Sequence, residues 1–289
     1  MCMIWRTRQH EKRGKLDLSA EAVVMGILNV TPDSFSDGGE FSTLEMAITR
    51  AKEMRDEGAK IIDIGGESTR PGAEAVSAEE EKARVVPVIQ KLREMPEFDE
   101  IHLSVDTSKA SVASAAIDAG ADIVNDVTGC TADPEMISLC AERGVGLVVM
   151  HMQGTPETMQ KNPSYADDDV VGEVQQFFSE RLKTLTDAGV KPECICFDPG
   201  IGFGKTDAHN LSLLTHIDKL TVAGRPILLG VSRKSLFGRL LGIEIPHERD
   251  AATIAMTTLA RNEGCMIHRV HDVKGNCQAL KITEKLIGV

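Results

Sequence analysis

Eight short apolar segments recur along the chain, and a pattern typical of a helix follows each of them. They cover residues 23–30, 60–65, 101–106, 121–125, 145–151, 194–198, 226–231 and 266–270. Continuous apolar runs of this length are typical of parallel strands with both faces buried, and the alternation predicts helices on the outside of the sheet. The simplest such fold is an α/β architecture, a (β/α)8 TIM barrel. An open doubly wound sheet is the alternative, although the chain lacks the glycine spacing of a dinucleotide-binding loop.

Two short candidate strands, near residues 3–7 and 15–18, precede these repeats and predict a short N-terminal hairpin within residues 1–22. No linker divides the 289 residues, and 42% hydrophobic residues are enough to form a substantial core. We therefore expect a single barrel domain over residues 1–289.

Composition excludes several classes of partner. The formal charge of −12 and an aromatic content of only 3% disfavour nucleic-acid binding, which needs basic surfaces and stacking platforms. The absence of a long apolar run or an apolar signal core predicts no membrane partner and a cytoplasmic location. Seven cysteines without a CxxC pair indicate reduced thiols rather than a disulfide framework or a zinc site. Cys194 and Cys196, two residues apart, are expected to share one strand face as core residues.

Polar residues lie at or near the carboxyl ends of the predicted strands, which is the end that carries the active site of a barrel. The candidates are Asn29, Asp63, Asp106, Asn125, His151, Asp198, residues 232–235, Arg269 and His271. Asp63 and Asp106 could instead cap the helices that follow them. Asp198 leads into DPGIGFGK, in which glycines allow the backbone to approach a ligand closely.

Charge is divided among these strand ends. Carboxylate and amide groups follow the third, fourth and sixth strands, where they could read the amino and ring N–H edge of a heterocycle. The cations Arg233, Lys234, Arg269 and His271 follow the seventh and eighth strands, where barrels commonly bind phosphate. The pattern predicts a site for a small anion such as phosphate or pyrophosphate. A core ion pair is the alternative for Arg269 and His271.

Seven motifs carry a resemblance to a known family. They are GILNVTPDSFSDGG, DIGGESTRPG, SVDTSK, MHMQG, DPGIGFGKT, GVSRKS and RVHDV. In their order and approximate spacing, the chain resembles the bacterial-type, single-domain dihydropteroate synthases from about residue 16 to its end. It departs from that family's common pattern at Thr128 and Gly129, and at Cys265, Met266 and His268. The resemblance implies a transferase of folate biosynthesis, which condenses 6-hydroxymethyl-7,8-dihydropterin pyrophosphate with p-aminobenzoate to give 7,8-dihydropteroate and pyrophosphate.

The resemblance also implies roles for individual residues. The pterin would contact Asp106, Asn125, Met150, Asp198, Phe203 and Lys234, and the pyrophosphate would contact Asn29, Arg70, Arg269 and His271. The p-aminobenzoate pocket would consist of Phe35, Thr69, Pro71, Phe203, Lys234 and Ser235. Mg²⁺ is the implied cofactor, with Asn29 as its protein ligand. Asp106, Lys234, Arg269 and His271 would act in catalysis, and sulfonamides would compete with p-aminobenzoate.

Two other functions stay open. A pterin-binding methyltransferase would use the same carboxylate and amide groups, but it would need a corrinoid partner domain and has less use for the cations. A non-catalytic pterin-binding protein could have the same barrel. Members of the resembled family are usually dimers, and Ala251 and Ala255 lie one helical turn apart, which permits close helix packing within the barrel or between the subunits of a homodimer.

Overall fold

The N-terminal segment forms a hairpin, as predicted. The computed structural model describes residues 3–8, 10–31, 40–68, 75–155 and 158–289, with no side chains described for residues 40–42. Strand β1 (Ile4–Arg6) pairs antiparallel with β2 (Lys15–Asp17). No helix among these residues combines the length and the apolar character of a membrane span.

The other strands form a parallel sheet that closes on itself. They are β3 (Val23–Asn29), β4 (Ile61–Gly65), β5 (His102–Asp106), β6 (Ile123–Asp126), β7 (Gly146–Met150), β8 (Ile195–Asp198), β9 (Leu228–Leu229) and β10 (Ile267–Val270). Their spatial order is β8-β7-β6-β5-β4-β3-β10-β9. A parallel bridge between Phe197 and Ile227 joins β8 to the segment leading into β9, and Phe197 N donates to Pro226 O at 3.0 Å. This link makes the sheet a barrel rather than an open sheet, which confirms the predicted fold class.

Helices lie outside this barrel. They are α1 (Glu40–Glu57), α2 (Ala78–Arg93), α3 (Ala110–Ala119), α4 (Glu135–Arg143), α5 (Val170–Asp187), α6 (Asp207–Thr215), α7 (Ser235–Leu241), α8 (Asp250–Asn262) and α9 (Val273–Ile287). Local capping fixes several of their starts. The Ser77 hydroxyl, for example, accepts a hydrogen bond from Glu80 N at 3.2 Å and satisfies one of the unpaired donors at the start of α2.

Apolar residues of the strands form two separate layers. One layer lies between the strands and the helices, and the other fills the amino-end half of the barrel, where Trp5 and Leu16 of the hairpin join it. Cys196 is in the inner layer and Cys194 is in the outer layer, so the prediction that they share one strand face was wrong. The reason is that β8 begins at Ile195, which leaves Cys194 in the short 3₁₀ turn before the strand. The six described cysteines are free thiols.

The amino end of the barrel is closed by buried polar contacts. Trp5 Nε1 donates to Cys194 O at 2.7 Å, and the fully buried Asp122 accepts hydrogen bonds from Arg93 and, at 3.3 Å, from Arg13 Nε. Because the hairpin covers this end, the carboxyl ends of the strands form the accessible mouth of the barrel.

Candidate active site

Arg269 crosses the mouth of the barrel and joins two carboxylates. Its Nε donates to Asp63 Oδ2 at 2.6 Å, and its Nη2 donates to Asp106 Oδ2 at 2.7 Å. Asn125 Nδ2 donates to the same oxygen of Asp63 at 3.0 Å. Asp63 is fully buried in the interior of the barrel, so it supports Arg269 and Asn125 instead of capping a helix.

The pKa values of Asp106 and Arg269 differ from their usual values. Burial raises the pKa of Asp106 to about 7; Arg269 opposes the shift and Asp63 reinforces it. Burial acts against the charged form of Arg269, but Asp63 and Asp106 raise the pKa of its guanidinium above its usual value. One guanidinium therefore binds two carboxylates, and the pKa of Asp106 lies near neutral pH.

Asp198 provides a third carboxylate at the mouth. Its backbone pairs with Met150 across β7 and β8, and its Oδ1 accepts a hydrogen bond from Gly200 N at 2.7 Å. Gly230 lies opposite, and a Cβ built there would be 3.6 Å from Asp198 Oδ2, so its lack of a side chain leaves space around that oxygen. Burial raises the pKa of Asp198, while Lys234 lowers it.

Lys234 packs against an aromatic ring beside these carboxylates. Its Nζ lies 4.2 Å from the centroid of the Phe203 ring and donates to Ile201 O. Burial lowers the pKa of Lys234 to about 8, and Asp198 opposes that shift. The exposed Ser235 follows at the first residue of α7. The structure thus places Lys234 against Phe203, with Ser235 next to Lys234 in the chain.

His271 is oriented by contacts with neighbouring elements. Ser232 Oγ lies 2.8 Å from its Nδ1 and also accepts a hydrogen bond from its backbone N at 3.1 Å. Arg50 of α1 donates to His271 O at 3.1 Å. These contacts fix both the backbone and the ring of His271 directly after β10.

The mouth contains a small cradle of oxygen atoms at Gly65. Its β4 position pairs with Asn29 on one side and Asp106 on the other. A Cβ built on Gly65 would lie 3.8 Å from Asn29 Oδ1 and 3.8 Å from Asp106 Oδ2. Within the described ranges, no group of three or more His, Cys, Asp and Glu side chains could hold a metal ion. Any Mg²⁺ site built on described residues would therefore rest on a few oxygen ligands beside Asn29.

Comparison with known proteins identifies the family. Residues 25–271 match the pterin binding enzymes. Over 270 residues the chain is 48% identical to the dihydropteroate synthase of Synechocystis sp., which covers 93% of this chain and 92% of that protein.

The chain belongs to the dihydropteroate synthase family.

Solved structures agree with this assignment. The Yersinia pestis dihydropteroate synthase, solved as a sulfonamide drug complex, has a TM-score of 0.90 and 42% identity, over 99% of this chain and 100% of that one. The Xanthomonas albilineans dihydropteroate synthase in complex with 7,8-dihydropteroate has a TM-score of 0.84 and 41% identity, over 95% of this chain and 97% of that one.

Two candidates from the sequence turn away from the mouth of this dihydropteroate synthase fold. Arg233 makes a double ion pair with Asp250 of α8, with both N–O distances at 2.7 Å, so it does not contribute its charge to the mouth as expected. His151 directs its Nδ1 to Lys205 Nζ at 2.9 Å, and its ring packs edge-on against Phe177 at a centroid distance of 5.0 Å. Both side chains stabilise the surroundings of the site.

The predicted division of charge also needs correction. Arg269 lies within the last strand, β10, but it pairs with carboxylates on β4 and β5, so cations and anions are interleaved across the mouth. The strand ends converge in a barrel, and a long side chain can therefore reach across its interior. The predictions for Phe35, Thr69, Arg70 and Pro71 lie outside the described residues.

Sequence reasoning gave no role to Asp63, Ser232 or Lys205. The first two were among the candidates only because they lie near strand ends, and Lys205 appeared only as part of a glycine-rich motif. Their contacts with Arg269, His271 and His151 could have been suspected only from the motifs in which they occur, because the partners are distant in the sequence.

Proposed function

We propose that this chain acts as a dihydropteroate synthase. It condenses 6-hydroxymethyl-7,8-dihydropterin pyrophosphate with p-aminobenzoate and forms 7,8-dihydropteroate and pyrophosphate. The observation that carries the proposal is the convergence of Asp106, Asp198, Lys234 and Arg269 at one barrel mouth. The family relationship supports it, since a relative of 41% identity has been solved with 7,8-dihydropteroate.

The pterin would be recognised by acceptors that the protein has already oriented. Asn125 donates through Nδ2 to Asp63, which leaves its Oδ1 as an acceptor. Asp198 uses Oδ1 for Gly200 N, which leaves Oδ2 for the amino and ring N–H groups of the heterocycle. Met150, beside Asp198 in the sheet, provides an apolar contact. A wrong heterocycle would leave these buried polar groups unpaired, which favours discrimination.

The anionic leaving group would bind where the cations Arg269 and His271 lie. Arg269 holds two carboxylates, and its extra donors are suited to exchange one of these contacts for a phosphate oxygen. As the C–O bond to pyrophosphate breaks, positive charge develops on the pterin methylene, and the Asp106 carboxylate would stabilise it. The amine of p-aminobenzoate then attacks that carbon and releases a proton. This reaction needs no nucleophilic side chain.

Mg²⁺ is the proposed cofactor, with Asn29 Oδ1 as its protein ligand. The oxygen-lined cradle at Gly65 supports this assignment, because Mg²⁺ usually takes only one or two protein oxygens together with water and substrate phosphates. When bound, the ion would neutralise charge on the departing pyrophosphate.

p-Aminobenzoate would bind between Phe203, Lys234 and Ser235. The ring of Phe203 offers an apolar surface, and the Lys234 amine and the Ser235 hydroxyl offer donors for a carboxylate. Sulfonamides are proposed to compete at this pocket, which is supported by the sulfonamide complex of the Yersinia pestis relative. The contributions of Phe35, Thr69 and Pro71 stay predictions.

The proposed function is tested with purified protein, the dihydropterin pyrophosphate and Mg²⁺, with and without p-aminobenzoate. We expect pyrophosphate release that depends on p-aminobenzoate and is matched by 7,8-dihydropteroate. Release without p-aminobenzoate would show that bond breaking precedes amine attack. Tight pterin binding without release would favour the methyltransferase or the non-catalytic binding protein instead.

A homodimer is proposed from the exposed face of α8 and α9. Ala251, Ala255 and Leu259 follow one another at single-turn spacing on α8, and all three are exposed, so this stripe does not pack within the barrel. Leu259, Ile282 and Leu286 are 60%, 55% and 80% exposed. An apolar face of this kind favours association with a second copy. A cytoplasmic location is also proposed, because the six described free thiols suit a reducing compartment.

A further inference from the structure

Lys205 has a buried amine that none of the roles above uses. It is only 1% exposed, and its Nζ has four neighbouring acceptors. These are His151 Nδ1 at 2.9 Å, Gly200 O at 3.0 Å, Phe203 O at 3.0 Å and His151 O at 3.3 Å. An ammonium group has three donors, so this set satisfies it completely. Burial lowers the pKa of Lys205 to about 7, and Asp198 opposes that shift. No carboxylate within the described ranges lies in ion-pair contact with Lys205, so carbonyl and imidazole groups are its direct partners.

These contacts join two loops of the barrel mouth. His151 follows β7, whereas Gly200 and Phe203 belong to the glycine loop after β8, which we define as residues 199–205. The two loops pack so closely that a Cβ on Gly200 would lie 1.9 Å from His151 O. Further contacts lie alongside, since Gln160 Nε2 donates to Gly202 O at 2.7 Å and Tyr165 Oη donates to Gly204 O at 2.8 Å.

The glycine loop in turn holds the groups that would contact substrate. Gly200 N donates to the Asp198 carboxylate, Ile201 O accepts from Lys234 Nζ, and the Phe203 ring packs under that same nitrogen. Lys205 binds the carbonyls of Gly200 and Phe203 directly. A shift of this loop would therefore move the hydrogen-bond partners of both Asp198 and Lys234.

We propose that Lys205 is a positioning residue for substrate binding: through His151 and the glycine loop it fixes Asp198, Phe203 and Lys234 without touching the substrates itself. An uncharged side chain of similar length would take this donor from the carbonyls of His151 and Phe203, whereas Gly200 O would keep Phe203 N at 3.0 Å. The loop would then rearrange to bring the two carbonyls to water. This inference rests on the proposed function, because the substrates named there supply its kinetic readout.

The decisive variants change the contact between Lys205 and His151 at either residue. Lys205→Met removes the donors with little change of length. His151→Asn keeps an acceptor near the position of Nδ1, whereas His151→Leu removes it, and both lose the ring packing against Phe177. Thr257→Val is a control for lost stability alone, because its hydroxyl bonds Asn276 Oδ1 at 2.7 Å in the helix layer, between α8 and α9.

The measurements are KM for each substrate, kcat, and the Kd for 7,8-dihydropteroate, at a temperature where thermal melts show each variant folded. For Lys205→Met and His151→Leu we expect both KM values and the Kd to rise about tenfold or more, since small displacements of binding groups have effects of this order. His151→Asn should stay within threefold of the unmodified protein, and Thr257→Val should melt earlier with unchanged KM.

Two results would overturn the proposal. One is a folded Lys205→Met protein with unchanged KM values and Kd, even if its melting temperature falls, because Lys205 would then act on stability alone. If Lys205→Met does not fold, the comparison of His151→Asn with His151→Leu tests the proposal instead. Equal KM and Kd values for these two variants would refute it. If the unmodified protein binds 7,8-dihydropteroate but forms none, the proposed function fails, while the Kd comparison still tests Lys205.

Discussion

Arg269 Nε lies 2.6 Å from Oδ2 of Asp63, a carboxylate with no exposure to solvent. Because the same oxygen also accepts from Asn125, Asp63 fixes the direction of both the guanidinium and the amide. An ion pair buried in this way stabilises little by itself, but removal of one partner leaves an uncompensated charge. The value of the pair therefore lies in the orientation of the residues at the mouth.

We expect Asp63→Asn to weaken both pterin binding and turnover. The neutral amide cannot balance Arg269 and cannot accept from two donors through one oxygen as strongly as a carboxylate does. kcat/KM should fall by about ten- to a hundredfold, in line with losses seen when residues that orient a site are changed. Steady-state kinetics and the Kd for 7,8-dihydropteroate provide the measurement. Asp118→Asn, at an exposed ion pair with Arg143, is the matched control and should change neither quantity.

Lys234→Ala should lose both pterin and p-aminobenzoate binding. The amine lies between the Asp198 carboxylate and the Phe203 ring, so its removal affects the sites proposed for both substrates. Calorimetric titration with each ligand should show both affinities falling by about tenfold or more, as expected for the loss of a charged hydrogen-bond donor. Arg239→Ala, which removes a largely exposed cation paired with Asp207, serves as the control. Unchanged turnover and KM in Lys234→Ala would reject the assigned role.

Ser232→Ala should separate pyrophosphate binding from pterin binding. The hydroxyl orients His271 through Nδ1 and the backbone N–H, and it touches no group assigned to the pterin. We expect KM for the dihydropterin pyrophosphate to rise by about three- to tenfold, because the loss of the hydroxyl weakens the orientation of His271 by an amount close to the net free energy of a hydrogen bond. The Kd for 7,8-dihydropteroate, which carries no pyrophosphate, should stay the same. An equal change in both constants would show that Ser232 does not act through the anion site.

His268→Leu should stabilise the protein and make its free energy of unfolding less dependent on pH below 6.5. The imidazole is 1% exposed on β10, and neither ring nitrogen has a hydrogen-bond partner. Its replacement should raise the free energy of unfolding by about 1–3 kcal/mol, the cost of an unsatisfied buried polar group. Urea denaturation at pH 7.5 measures this change, with the exposed His247→Gln as the control.

The pH dependence of the same variant has a definite sign. Burial lowers the pKa of His268 from 6.5 to about 4, so between these values the unfolded chain binds a proton that the folded chain does not. This residue therefore makes stability fall as pH decreases through that window, by at most about 1.4 kcal/mol per pH unit. The stabilisation by His268→Leu should grow as the pH is lowered from 6.5 towards 4. A constant difference between the two proteins would contradict the assignment.

Leu259→Glu should convert the proposed homodimer to a monomer. The side chain is 60% exposed on the small-residue face of α8, and a charge there would have to be buried in a subunit interface. Sedimentation equilibrium of both proteins measures the mass directly. Lys274→Glu, which changes a charge at the start of α9, is the control for the added negative charge and should keep the mass of the unmodified protein. If the unmodified protein sediments as a monomer, the proposed homodimer is wrong.

The sequence by itself determined the barrel and much of its mouth. Apolar runs alternating with helical patterns specify buried parallel strands, and this local information placed β3 to β10 within a few residues of their observed bounds. The same reasoning identified Asp106, Asn125 and Asp198, because a residue at the end of a strand enters the mouth whatever its partners are, and it identified Lys234 in the loop between β9 and α7. The motifs supplied the family, which the comparisons confirmed.

Only the tertiary structure decided which side chains meet. Arg269 and Asp63 are 206 residues apart in the chain, and nothing in the local pattern of either one specifies the other. Arg233 pairs with Asp250, and His151 contacts Lys205, because the folded chain brings these residues within hydrogen-bond distance although they are far apart in the sequence. The periodicity of a strand fixes the face on which a residue lies, whereas the partner of a charged side chain depends on which strand and helix ends converge when the barrel closes.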